Sequence, residues 1–244
     1  NPPLDNEPVR SALSDAIDTK TIIDAVFYET ALQAKSLLSK YSWAYNPRTA
    51  QRTFSPQQSL IKLKAQDFDF DKTIRILTPD KNSIFNPNFH KTAELIQSNW
   101  ASIGVKSSIV SLRDAELQSA LLAGDYHIYL TGSTPNIKDP DNLLRPLLSC
   151  SATPIEGNTS QWCDIGIQLL LDATLIEANF IQRVKNYYNI QSVIQQKSIY
   201  LPIAHLLRFD AFNQNVSGLL INPLTGIDFQ SVKKTSPSDM VIIK

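Results

Sequence analysis

The sequence has 244 residues, 43% of them hydrophobic, which is enough for a sizeable core in one large domain or two small ones. Lys plus Arg number 23 and Asp plus Glu number 23, so no net field draws the chain to nucleic acid, and no basic run suits anionic lipid. A dedicated nucleic-acid or membrane binder is disfavoured, and the longest apolar stretches fall far short of the ~20 residues of a bilayer span. Asn1-Pro2-Pro3-Leu4 has neither the charged start nor the apolar run of a signal peptide, so any export signal is expected upstream.

The first helix is signalled by Asp5 and Asn6 as caps, Pro8 in its first turn, and Val9, Ala12, Leu13, Ala16 and Ile17 at helical spacing. Asp18 or Thr19 then caps a second helix carrying Ile22, Ile23, Val26 and Phe27. Residues 35–53, with Trp43, Tyr45 and Pro47, read as an ordered loop. Ser55-Pro56 starts a third helix. From residue 73 the pattern alternates. Strand 73–78 is followed by a helix with the stripe Ala93, Ile96, Trp100 and Ile103, stopped by Gly104. Strand 105–112, helix 114–122 stopped by Gly124, and strand 126–130 complete a βαβαβ unit, which predicts an open, largely parallel sheet. Ligands of such sheets sit beyond the carboxyl ends of the strands, here loops 79–89 and 131–142. A helical hairpin is expected from Asp164, then a strand over 198–204 limited by Pro202, then short strand-like pieces with turns at Asn222-Pro223 and Thr225-Gly226.

Catalytic signatures are sparse. There is no GxSxG elbow, HExxH pair, Walker loop or GxGxxG fingerprint, and seven glycines leave little material for a phosphate cradle. His90, His127 and His205 are scattered, and His205 reads first as a hydrogen-bonded histidine at a strand end. Trp43 and Tyr45 read as pins of their loop to the core before they read as pocket walls. Asp139 and Asp141 lie in Asp-Pro-Asp-Asn, a turn and helix-start signal before it is a metal or acid–base pair. Cys150 and Cys163 match neither a CxxC motif nor a metal-ligand pair; a disulfide closing a surface loop is favoured over two free buried thiols, and it would imply an oxidising compartment.

Several stretches together resemble the peptide-, nickel- and haem-binding family of ABC-transporter solute receptors, solute-binding protein family 5. They are Asp5 to Asp18, Trp43-Ala44-Tyr45-Asn46-Pro47, Ser55-Pro56, residues 91–105, and Asp139-Pro140-Asp141-Asn142 leading to Leu147-Leu148-Ser149-Cys150 and Trp162-Cys163-Asp164. Pro202-Ile203-Ala204-His205 and residues 216–224 complete the series, so the resemblance runs through almost the whole chain in order. Among subfamilies the chain is most similar to the peptide receptors of the Sap system, associated with antimicrobial-peptide resistance and haem uptake. The resemblance implies an α/β, type II periplasmic-binding-protein-like fold. Residues 1–203 would form its second lobe, with a largely parallel sheet, and 204–244 a hinge crossing and C-terminal segment returning to an absent first, N-terminal lobe. It also implies the family's disulfide, here Cys150 to Cys163, a periplasmic location, and delivery of ligand to an ABC permease in the inner membrane by lobe closure, with no chemistry and no cofactor.

Dipeptide receptors of the family hold the ligand carboxylate with an Arg before Asn-Pro-Asn and the ammonium with an Asp before Asp-Pro-Asp-Asn. The matching positions here fall near Ser83 and at Asn136, so both ionic anchors are missing. The expected wall is Asn82, Ser83, Asn136 and Asp139, neutral and hydrogen-bonding, suited to the backbone of longer peptides or to haem. Two rival readings are a hydrolase with a dispersed Ser/His/Asp site and a ligand-free interaction protein of a membrane complex, the latter with a filled, apolar cleft face.

Overall fold

Helix α1 (Glu7–Asp15) starts beside Pro8, whose missing N–H costs nothing in a first turn. α2 (Thr19–Phe27) follows, with the Asp18 carboxylate accepting from Thr21 N at 3.1 Å. Together with α3 (Pro56–Lys64) and α4 (Phe89–Ala101), they pack on one face of a three-stranded sheet. This computed structural model describes residues 1–134, 138–209, 211–222 and 226–234. The sheet order is β3 (Ser107–Leu112), β2 (Ile74–Pro79), β4 (Ile128–Tyr129), with both pairings parallel, as the alternating pattern predicts.

Side chains alternate across a strand, and β2 shows the consequence. Ile74 and Ile76 enter the core shared with α1, α2 and α4, while Leu77 packs with Leu117, Leu121 and Tyr126 beneath α5 (Asp114–Ala123). Trp100 is the largest buried side chain of the first core, and its indole N–H donates to Leu13 O at 3.0 Å. Gly104 and Gly124 end α4 and α5 in the left-handed region, with φ of 81° and 67°.

A second core joins α6 (Asp141–Leu148), α7 (Ile165–Ile176) and α8 (Phe180–Lys197) through Leu144, Leu148, Ile167, Leu171 and Tyr187. Asp164 and Asn179 cap the two hairpin helices, accepting from Ile167 N and Gln182 N. Arg145 reaches from α6 to Asp172 and to Leu171 O, which ties α6 to α7. The two cores meet at the end of α8, where Arg10 donates twice to Lys197 O and Lys197 pairs with Glu7.

The expected strand over 198–204 is displaced. Ser198 ends α8 in the left-handed conformation, 201–203 has no regular structure, and β5 spans Ala204–Leu206. Pro202 has no N–H for a ladder, so pairing begins after it, with β1 (Ala31–Gln33), a short antiparallel strand the sequence pattern does not announce. The tail adds two small antiparallel pairs, β6 (Val216–Ser217) with β9 (Lys233–Lys234) and β7 (Leu220–Asn222) with β8 (Gly226–Asp228). No described helix is long and apolar enough to cross a membrane.

Candidate ligand-binding site

Beyond the carboxyl ends of β2 and β4 lies an open concavity of about 2180 Å³. Its walls come from the loops after those strands, the segment 154–162, the loop after β1, and residues 198–208. The sheet positions the first two loops, the second core holds the loop after β1 and the end of segment 154–162 through Leu38, Ala44 and Trp162, and Leu201, Ile203 and Ala204 pack on the first core.

The loop after β2 is a tight hairpin. Ser83 N donates to Asn86 O at 3.0 Å and Asn86 N to Ser83 O at 3.2 Å, while the Ser83 hydroxyl accepts from Phe85 N at 3.0 Å. Asn86 is buried, and its side chain donates to the Thr92 hydroxyl at 2.9 Å and accepts from Asn88 N at 2.8 Å. Ser83 is thus spent on the hairpin, Asn82 is exposed beside it, and the residues presented to the concavity here are Ile84 and Phe85. Phe85 lies against the bare Cα of Gly132, where an added Cβ would stand 2.2 Å from Phe85 Cβ. Charges at this end of the sheet pair among themselves, Lys81 with Asp114 and Arg113 with Asp80, at 3.3 and 3.4 Å.

Asn136 lies outside the described residues. Asp139 lines the concavity, but its carboxylate is already engaged. Arg183 Nη2 donates to both oxygens, at 3.0 and 2.8 Å, and Asp141 N and the Tyr187 hydroxyl also donate to it. Burial pushes the Tyr187 hydroxyl pKa up, so it stays a proton donor to Asp139 throughout the physiological range. The Arg183 guanidinium also lies over the Trp43 ring, 5.3 Å from its centroid, and Trp43 meets Phe180 and Tyr187 with centroids at 5.0 and 5.5 Å. Trp43 therefore pins its loop, as expected, and Tyr45 lies on the concave face. Sequence reasoning named Ser83 and passed over Ile84, Phe85 and Gly132; the apolar pair beside the polar triplet was the available signal.

The three histidines have separate partners. His90 is 3.5 Å from Glu94, His127 Nδ1 accepts from Arg75 N at 2.9 Å, and His205 Nε2 lies 3.0 Å from Ser36 O. Among the described residues no group of three or more His, Cys, Asp or Glu side chains could hold a metal ion. Burial holds the pKa of His205 below the ordinary 6.5, outweighing its backbone hydrogen bonds. A lowered folded-state value means the unfolded chain takes up the proton first, so stability is full above about 6.5 and declines as pH falls from there towards the folded value. His205 stands in β5, so the β1–β5 ladder is expected to loosen on mild acidification, and His205→Gln to flatten that part of the pH–stability curve measured by urea unfolding.

Cys150 and Cys163 are bonded, with Cα atoms 4.7 Å apart. The bridge closes the segment whose Pro154 to Trp162 portion forms one wall, and Asn158 holds it from inside by donating to Ser149 O and Trp162 O at 3.1 and 3.0 Å. Thiol labelling of unreduced, denatured protein is expected to find no free cysteine. The double substitution to serine is expected to cost about 2–3 kcal/mol, mostly by freeing the unfolded chain.

Residues 1–154 match the family model of bacterial extracellular solute-binding proteins, family 5, middle region. The peptide transport periplasmic protein SapA of Salmonella typhimurium is 32% identical over 233 residues, 96% of this chain and 42% of that protein. The structure of HbpA2 from Haemophilus parasuis superposes with a TM-score of 0.88 at 30% identity, covering 97% of this chain and 46% of the other. The dipeptide-binding protein of Pseudoalteromonas sp. SM9913, in complex with Met-Leu, superposes with a TM-score of 0.83 at 34% identity, covering 96% and 46%. The chain spans a little under half the length of these relatives. Its mixed α/β architecture is that of type II periplasmic binding proteins, and the chain belongs to family 5 of the bacterial extracellular solute-binding proteins.

Proposed function

We propose that the chain is the second lobe and return segment of a periplasmic receptor that captures peptides for an ABC importer and hands them to its inner-membrane permease. Residues 1–203 supply one wall of the cleft, and 204–244 cross back to a first lobe. The observation that carries this reading is the open concavity at the carboxyl ends of parallel strands, where Lys81, Arg113 and Asp139 are each paired with a protein group. Such a wall suits the uncharged middle of a peptide. Among the described residues His127 and His205 bond backbone groups, and the task of the wall in this proposal is binding and release.

The loops that carry Asn82, Ser83, Asn136 and Asp139 form the ligand wall in this proposal. Backbone amides and neutral side chains hold the peptide backbone, and the Asp139 carboxylate, held by Arg183, is not reserved for a free ammonium. Peptides longer than two residues, antimicrobial ones included, fit this arrangement better than free dipeptides. Haem is the rival ligand for this face: His127 accepts from Arg75 N through Nδ1 and has no lone pair left for iron, whereas His205, with Nε2 against Ser36 O, keeps that of Nδ1.

The test is a mass spectrum and an absorption spectrum of whatever co-purifies with the two-lobed receptor from a peptide-rich medium. Bound peptides of mixed sequence are expected, without a Soret band. A stoichiometric Soret band with no peptide would replace the peptide reading by the haem reading.

A further inference from the structure

Ile84 is 80% exposed, an unusual place for a β-branched aliphatic side chain in a loop that is otherwise tied down. The tying is thorough. The paired Ser83 and Asn86 backbones, the Ser83 hydroxyl on Phe85 N, and the buried Asn86 side chain on Thr92 fix the hairpin from within. Phe85 fixes it from without, because its Cβ and ring occupy the space a side chain at position 132 would need. A glycine at 132 therefore lets the loops after β2 and β4 touch. With Phe85 turned onto that contact, Ile84, its neighbour in the turn, is left lining the concavity.

We propose that Ile84, held out by the Phe85–Gly132 contact, is a specificity-determining residue that receives an apolar side chain of the bound peptide. The inference rests on the peptide-receptor reading above and adds to it which peptides are taken. Charge argues for this occupant. Lys81 on the hairpin and Arg113 beyond the end of β3 pair with Asp114 and Asp80. An acidic side chain at this point would meet no free described cation of the hairpin, and a basic one would lose hydration against isoleucine with Asp80 and Asp114 already paired. An apolar side chain loses nothing and removes the exposed Ile84 from water.

The experiment uses the full-length, two-lobed receptor and alanine peptides of two to five residues, with Leu, Asp or Lys placed at each position in turn, titrated calorimetrically. At one position the wild-type receptor is expected to prefer Leu over Ala by about tenfold and to prefer Leu over Asp and Lys by more. Ile84→Ala should reduce the Leu-over-Ala preference at that position to under about threefold, leaving the other positions and the unfolding midpoint unchanged. Gly132→Ala should do the same by displacing Phe85, and Ile84→Arg should turn the preference towards Asp. If Ile84→Ala leaves Leu-over-Ala selectivity intact at every position while peptides still bind, Ile84 is no subsite and the peptide reading survives. If the wild-type receptor binds none of the peptides, the peptide reading falls and this inference with it.

Discussion

Replacing Gln191 with leucine is expected to destabilise the protein by about 3–5 kcal/mol, although it exchanges a polar side chain for an apolar one in a core. Gln191 is 2% exposed and uses both ends of its amide. Its oxygen accepts from the Ser36 hydroxyl at 3.0 Å and from Asn46 N at 3.3 Å; its nitrogen donates to Ala44 O at 2.8 Å and to Tyr187 O at 3.0 Å. Leucine would keep the volume and abandon the partners on the 36–46 loop. A buried polar group left without a partner costs roughly 1–3 kcal/mol, so even partial rescue by water leaves a large loss. Urea unfolding of the wild type and Gln191→Leu checks the magnitude. A change below 1 kcal/mol would mean that the loop finds other partners. The same substitution should loosen the wall that contains Leu38 and Tyr45, so its effect on ligand affinity should exceed that of an equally destabilising change at Ile22, a buried residue of the other core away from the concavity.

Gln191 also marks a limit of what the sequence discloses. The periodicity of Tyr187, Ile190 and Ile194 places it on a helix, but nothing local says that its amide will meet a loop some 145 residues earlier. Features that depend on nearest neighbours were legible: the Asp18 cap, the helix start at Asp164, the glycine stops, and the parallel order that places the cleft. Long-range pairings were not. β1 is three residues long and its β5 partner lies beyond α8, so neither strand had a period to detect, and β5 moved past Pro202 for want of an N–H. The same distinction divides the site. Loops 79–89 and 131–142 follow from the strand order. The emergence of Ile84 instead of Ser83 depends on a phenylalanine meeting a glycine 47 positions away, a contact between loops that carries no periodic signal.

The second large effect concerns ligand affinity. Residues 1–244 alone are expected to bind peptide at least ~1,000-fold more weakly than a receptor that also carries the first lobe of its full-length relatives, a difference of about 4 kcal/mol. Two quantities are lost together. Contacts from the opposite wall disappear, and so does closure, which removes the ligand from water and makes each hydrogen bond to the neutral wall count. The tail is where the lobes would meet. Phe209, Phe212, Leu220 and Phe229 are 70%, 56%, 59% and 69% exposed, a large apolar area for a segment whose described strand pairings are two short pairs of its own and β5 with β1. In the proposed receptor these side chains pack on the first lobe, so adding it should protect the amides of 204–234 from hydrogen exchange even without ligand. Calorimetric titration of one peptide against both proteins measures the affinity, and exchange mass spectrometry measures the protection. Low-micromolar binding by residues 1–244 would show that a single wall suffices. Unchanged exchange in 204–234 would show that the tail's apolar face has a different partner.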